Sequence, residues 1–137
     1  MAVIGSDEWL AGVVRSGAEL TPAAGVDLVV QFEVAASSSS RSKKNVTRFW
    51  VELSDGVPAS AGEGKHDDPS AVIACSGADG LALLRGDLDA DVAFMQGRLK
   101  VDGGYEQLLF DLRHVFGRED HRQLRLALAA NTELAAA

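Results

Sequence analysis

Few side chains in this sequence are spaced to do chemistry. Asp87-Leu-Asp-Ala-Asp91 has the look of an opening calcium loop, but such a loop needs glycine at its sixth position and a bidentate carboxylate at its twelfth. Val92 and Arg98 stand there instead, so the run reads as an Asp-rich helix start. His66-Asp67-Asp68 sets three metal-ligating types in a row, yet Pro69 follows and glycines precede it, the composition of a solvated turn. His114 and His121 lie among Arg113, Arg118, Glu119, Asp120 and Arg122. A histidine–carboxylate base is one reading of that cluster, and ion pairs on a helix surface are the reading its spacing favours. Cys75, the single cysteine, closes the apolar run Ala71-Val-Ile-Ala-Cys75. No activating base is near it in sequence, so a buried, inert thiol is expected. Arg41, Lys43 and Lys44 form a small basic group in a serine-rich stretch; a phosphate or headgroup could meet it, but a solvated loop is the default. The chain has no Gly-x-Ser-x-Gly elbow, phosphate-binding loop, dinucleotide fingerprint or zinc spacing. The sequence therefore gives no basis for a catalytic residue, a metal or a cofactor, and the expectation is a protein that is not an enzyme.

Composition narrows the classes further. The 137 residues are 47% hydrophobic and only 6% aromatic, so Leu, Val and Ala must build most of one core, and residues 1–137 are expected to form a single domain. A formal charge of −7 opposes nucleic-acid binding, which needs a basic face, and weakens docking on anionic membranes. At most transient membrane contact is expected. No basic n-region leads into a long apolar run, and no stretch approaches the roughly 20 apolar residues of a membrane span; the expected location is the cytoplasm.

The elements follow from periodicity. Ser6-Asp-Glu-Trp-Leu opens a helix, with Ser6 as cap and Trp9, Leu10, Val13 and Val14 at helical spacing up to Gly17. Val26 to Val34 alternates as a strand with Val26, Leu28, Val30, Phe32 and Val34 on one face. Ser37 to Asn45 reads as a hairpin loop, and Val46 to Leu53 as the partner strand, with Phe49, Val51 and Leu53 inward and Trp50 on the face of Arg48 and Glu52. Ser54-Asp55-Gly56 turns into a short third strand, Val57 to Ala61. Ala71 to Ser76 is a fourth strand, Gly77 to Arg85 and Asp87 to Met95 are short helices, and Arg98 to Val101 is a fifth strand between the glycines of Gly97 and Asp102-Gly103-Gly104. Gly104 to Phe116 carries a wide apolar stripe, and a last amphipathic helix runs from Glu119 towards residue 137. This order predicts an α+β fold, a five-stranded, mostly antiparallel sheet with helices on one face.

Gly97-Arg-Leu-Lys-Val-Asp-Gly103 resembles the glycine-basic-leucine-lysine-aliphatic-x-glycine strand of the sterol carrier protein 2 family. It follows an apolar helix end, Phe94-Met95, and an earlier short helix ending Leu84-Arg-Gly86, as in that family. The resemblance covers roughly Ser6 to Phe116. One departure is Gly104, where the family usually has an acidic residue; it touches a turn rather than a pocket. The resemblance implies a non-covalent carrier with an apolar tunnel between sheet and helices. Fatty acids, fatty acyl-CoAs and sterols all occur as ligands in the family, and some members are domains of larger enzymes, so the fold does not name the ligand.

The candidate tunnel wall is Phe32, Phe49, Val51, Leu81, Leu84, Phe94, Met95, Leu99, Leu108, Leu112 and Phe116. Phe94, Met95, Leu108 and Leu112 flank the diagnostic strand, and unbranched Met95 suits a surface that accepts variable ligands. The alternative is that all of these simply fill the core and that the chain is an accessory or protein-interaction module without ligand, a reading that a homodimer through its last helix fits. On the carrier reading the partner is an apolar small molecule, a fatty acyl chain or sterol, and the C-terminal helix serves as a lid.

Overall fold

The computed structural model describes residues 2–35, 46–104 and 117–134. The first elements are β1 (Ala2–Val3) and α1 (Asp7–Gly17). Ser6 caps α1 by accepting the Trp9 N–H at 3.2 Å, and Asp7 and Glu8 in the first turn complement the helix dipole. The helix buries Trp9, Leu10, Val13 and Gly17. A Cβ at Gly17 would lie 2.7 Å from the Pro58 ring, so glycine is what lets the end of α1 settle on the neighbouring strand.

β2 (Leu28–Ala35), β3 (Val46–Ser54) and β4 (Val57–Glu63) form the meander. Asp55 and Gly56 both take positive φ, 51° and 74°, the backbone of a two-residue hairpin turn matched to strand twist. β5 (Ala71–Ser76) then lies parallel to β2, and β6 (Leu99–Asp102) antiparallel to β5, giving the order β4-β3-β2-β5-β6. The register lines up one apolar face. Val30 stands between Val51 and Ala71, Phe32 between Phe49 and Ile73, and Val34 next to Cys75, which faces Leu99.

The helices gather over that face. α1 packs on β4, α2 (Gly77–Arg85) on β5 and β2, and α3 (Ala90–Met95) on β6. α4 (Glu119–Ala130) lies against α2 and α1. Two buried clusters result. One joins Trp9, Leu10, Val13, Phe49, Cys75 and Leu99 beneath the helices; the other joins Ala23, Val26, Leu28, Val30 and Leu53 at the far end of the meander.

The five-stranded α+β architecture agrees with the sequence reading, and several boundaries move. The third strand runs on to Glu63, because Gly62 makes room for the Trp50 indole, 2.7 Å from where a Cβ would be. The second short helix starts at Ala90, since Asp89 turns outward to cap it. The last helix ends at Ala130, not at residue 137: Asn131 closes it and β7 (Thr132–Glu133) pairs in parallel with β1. The Thr132 hydroxyl accepts the Trp9 indole N–H at 2.9 Å and donates to the Leu128 carbonyl, fixing that turn. The expected loop at 37–45 and helix at 104–116 fall almost wholly outside the described residues.

Candidate functional site

The strand motif is held by three local devices. Gly97 takes φ +75° and Gly103 φ +70°, conformations in which glycine has no steric penalty. Between them Leu99 enters the core, 8% exposed, while Lys100 faces solvent. Arg98 reaches back to Asp79 of α2, with Nη2 2.6 Å and Nε 3.1 Å from Oδ1; that hydrogen bond and charge push the guanidinium pKa upward. The basic residue of the motif is thus a tie between α2 and β6. At Gly104 the backbone runs so close to the Ser70 carbonyl that a Cβ would overlap it, which is the physical reason this chain has glycine there.

A partly buried band crosses the sheet's apolar face, from Ala61 through Val51, Phe32 and Ile73 to Val101. Phe32, Val51 and Ile73 stand on the three middle strands, where closure should be most complete, yet each is only partly buried. Phe32 and Ile73 border both buried clusters, and Val51 borders the second. An aromatic ladder leads to this region. Trp9 meets Phe49 edge-on at 5.2 Å, and Phe49 stacks on Phe32 at 5.1 Å and 20°. Phe49 is 2% exposed and anchors the ladder; Phe32 is its open end.

The expected wall residues divide accordingly. Phe32 and Val51 lie on the partly buried band, and Leu84 of α2 packs against the first cluster from above. Leu81 is half-buried on α2 and belongs to neither cluster. Phe49 and Leu99 are closed core. Phe94 and Met95 do not enter the interior: they are 39% and 83% exposed. The cap at Asp89 sets the rotation of α3 so that Ala93, 0% exposed, takes the inward position. Leu108, Leu112 and Phe116 lie outside the described residues. Ile73 was missed, because in the unbroken apolar run 71–75 nothing marks which residues face inward; only pairing with β2 decides it.

A separate cleft of about 260 Å³ opens between α1 and α4, lined by Glu8, Trp9, Gly12, Arg15, Leu128 and Asn131 among others. It lies outside the sheet–helix interface and mixes polar with apolar groups.

Of the chemistry-bearing groups, Cys75 belongs to the buried cluster that Phe32 and Ile73 border. Burial, with the Asp79 charge adding to it, pushes the Cys75 thiol up to about 11, so it is protonated at neutral pH. His66 lies on the opposite face of the sheet, its ring 4.9 Å edge-on to Trp50 and its Nδ1 accepting the Asp68 N–H at 3.0 Å. Its backbone N–H donates to buried Gln31 Oε1 at 3.1 Å. The Asp87–Asp91 run is a helix start: Asp89 Oδ1 accepts the N–H groups of Asp91 and Val92 at 2.8 and 3.2 Å. His121 corrects the expectation of surface ion pairing. It is 8% exposed, because it shares the inward side of α4 with Ala129 while its charged neighbours Glu119 and Arg122 stay out. Burial, then the nearby Arg125 charge, lowers its pKa to about 4 against the opposing Asp120 carboxylate. His114 lies outside the described residues. Among the described residues no three or more His, Cys, Asp or Glu side chains gather to hold a metal, and no helix is long and apolar enough to cross a membrane.

The fold is that of solved sterol carrier proteins. The crystal structure of sterol carrier protein 2 matches with a TM-score of 0.62 at 19% identity, over 96% of this chain and 99% of that one. Sterol carrier protein 2 like 2 from Aedes aegypti gives 0.60 at 18% identity, over 80% and 94% of the two chains. Sterol carrier protein 2 from Aedes aegypti, solved in complex with the C16 fatty acid palmitate, gives 0.56 at 20% identity, over 83% and 96%. No curated protein matches the sequence. The sequence model of the SCP-2 sterol transfer family does, across residues 15–109, and with that match over most of its length the chain belongs to the SCP-2 sterol transfer family.

Proposed function

We propose that this protein is a non-enzymatic carrier that binds one apolar molecule, a fatty acid, fatty acyl-CoA or sterol-like compound, against the apolar face of its sheet beneath the helices. The observation that carries this reading is the incomplete burial of Phe32, Val51 and Ile73 on the three middle strands, where Val30 and Val34 on either side of Phe32 along β2 are buried. Family membership and the palmitate bound by the Aedes aegypti relative support it. Affinity would come from burying area. Each methylene removed from water contributes about 0.8 kcal/mol, so a long acyl chain exceeds the costs of ordering without any dedicated polar contact.

In this reading Phe32, Val51 and Ile73 form the floor, Leu81 and Leu84 the roof, and Phe49 and Leu99 the support beneath. Leu108, Leu112 and Phe116 complete the wall, and Phe94 and Met95 stand at its outer rim. Residues 1–137 act as a single domain in the cytoplasm. α4 is the lid, tethered at both ends. Arg118 donates to the Thr21 carbonyl and Asp120 accepts the Thr21 N–H, both at 2.9 Å, while β7 holds the other end.

Native mass spectrometry with organic extraction, joined to uptake of a fluorescent fatty acid, tests this. The wild type should take up one equivalent, and Ile73→Trp, which fills the floor, should take up at least tenfold less while remaining folded. A clean apo mass and no uptake by the wild type would overturn the carrier reading in favour of an interaction module with a filled core.

A further inference from the structure

The cleft of about 260 Å³ between α1 and α4 has charges of opposite sign at its two ends. The helices run antiparallel beside it. Ala2, ahead of α1, donates its N–H to the Asn131 carbonyl at the end of α4. Thr21, beyond α1, meets Arg118 and Asp120 at the start of α4. One end of the cleft therefore holds Glu8 and Asn131, the other Arg15 and Ser16. Glu8 and Arg15 share one stripe of α1, two turns and about 10 Å of rise apart. Neither side chain has an ion-pair or hydrogen-bond partner among the described residues. Such charges are common on a surface; the glycine between them is not explained so simply. Gly12 stands in the middle of α1, where glycine is destabilising relative to alanine. Its φ is not positive, and beyond the helix's own backbone only the Arg15 guanidinium, with Nη2 at 3.8 Å, lies within 4 Å of a Cβ built there. Gly17 has a packing reason, the Pro58 ring; Gly12 has none. What Gly12 supplies is an open floor midway between the two charges, with the guanidinium leaning back over it.

We infer that this cleft binds a small zwitterion, a free dipeptide of aliphatic residues, with its carboxylate on the Arg15 guanidinium and its ammonium on the Glu8 carboxylate. Size sets the first limit. At about 30 Å³ for each water-sized group the cleft has room for roughly nine, too few for a long acyl chain or for a helix or strand of a partner. Charge sets the second. A simple acid would gain Arg15 and be repelled by Glu8, and a simple amine the reverse; a zwitterion uses both. Spacing sets the third. Gly12, over which the guanidinium lies, is four residues and about 6 Å of rise beyond Glu8. Two residues of extended chain span at most about 7 Å, so the termini of a dipeptide reach both charges. The remaining groups fit the same orientation. The Asn131 amide donates to the Ala127 carbonyl at 3.2 Å, which leaves Oδ1 as a second acceptor at the ammonium end. The Ser16 hydroxyl is a donor at the carboxylate end. Trp9 has committed its indole N–H to Thr132 and offers only ring surface, which with Leu128 receives an aliphatic side chain.

The test is calorimetric titration of the full chain with the dipeptide Ala-Leu at neutral pH, alongside thermal unfolding. The wild type should bind one equivalent, and Arg15→Gln and Glu8→Gln should each weaken binding by about tenfold or more. N-acetyl-Ala-Leu, which lacks the ammonium, should bind the wild type about tenfold more weakly than Ala-Leu does, and Glu8→Gln should cost it nothing further. Gly12→Leu should abolish binding while raising the melting temperature by roughly 3 °C, a pairing that a merely structural glycine would not give. No heat from the wild type at millimolar Ala-Leu would overturn the proposal. So would equal binding by wild type and Arg15→Gln, or a Gly12→Leu protein that melts lower and still binds. Should Gly12→Leu not fold, the two glutamine variants decide. The carrier reading is tested separately by fatty-acid uptake: its absence from the wild type would leave this site standing.

Discussion

Truncating the two stacked phenylalanines separately should divide stability from binding. Phe49 is 2% exposed, wedged between Trp9 and Phe32. Phe49→Ala removes a closed-core ring and two aromatic contacts, and should cost about 3–5 kcal/mol of stability. Phe32 makes one of those contacts and is only partly buried, so Phe32→Ala should cost roughly half as much, about 2 kcal/mol. Its effect on a ligand should be the larger share. If the open part of the ring covers about 50 Å² of acyl chain, losing it at ~25 cal/mol per Å² weakens binding by about 1.3 kcal/mol, close to tenfold. Urea unfolding of both variants, with titration of a fluorescent fatty acid under conditions where each is folded, measures the two numbers. The reasoning is refuted if Phe32→Ala destabilises as much as Phe49→Ala and leaves the dissociation constant of wild type, for Phe32 would then be ordinary closed core.

Other outcomes follow from single groups. His121 has a folded pKa of about 4 against a usual 6.5, lowered chiefly by burial, so the unfolded chain binds more protons between those values. Its contribution is complete above pH 6.5 and is lost as pH falls towards 4, on the order of 2–3 kcal/mol; urea midpoints between pH 4 and 7 should show this slope, and His121→Gln should flatten it. Gly104→Asp should destabilise by more than about 2 kcal/mol because positive φ and the Ser70 carbonyl both oppose a side chain. Gly64→Ala, where φ is +84° but no atom lies within 4 Å of a Cβ, should cost only about 1 kcal/mol in thermal unfolding; equal losses would remove the overlap argument. Cys75, with its thiol raised to about 11, should resist iodoacetamide at pH 8 in the folded protein and react once unfolded in urea; ready labelling of the native chain would contradict its burial.

The parts of this fold that could be read from sequence are those with enough residues to show a period. Leu28, Val30, Phe32 and Val34 alternate long enough to name the inward face of β2, and Phe49, Val51 and Leu53 do the same for β3, so the register Phe32 opposite Phe49 follows. Ser6 and the glycines at 97 and 103 announced their caps and turns by residue type. The site was less legible. In Ala71-Val-Ile-Ala-Cys75 every position is apolar, and the inward choice of Ile73 comes from pairing with a strand some forty residues earlier. α3 spans under two turns, too short for a stripe, and its rotation is set by one aspartate outside it. His121 sits between charges in sequence, yet its inward position is fixed by the packing of α4. β1 and β7, at two residues each, have no period, and each exists only because the other does.

That last pairing bears on the order in which the molecule can be made. Ala2 finds its partner in Thr132, and the Trp9 indole finds its acceptor there too. On a ribosome the meander and β5–β6 can close as they emerge, since each pairing joins strands already synthesised. β1 and the indole N–H must wait for nearly the whole described chain, and contacts of such separation form last. During that interval the side of α1 that α4 will cover is open to water. Stalling or shortening the chain before Thr132 should yield a sheet that is formed but sticky, a species that a chaperone would hold and a protease would cut near α1.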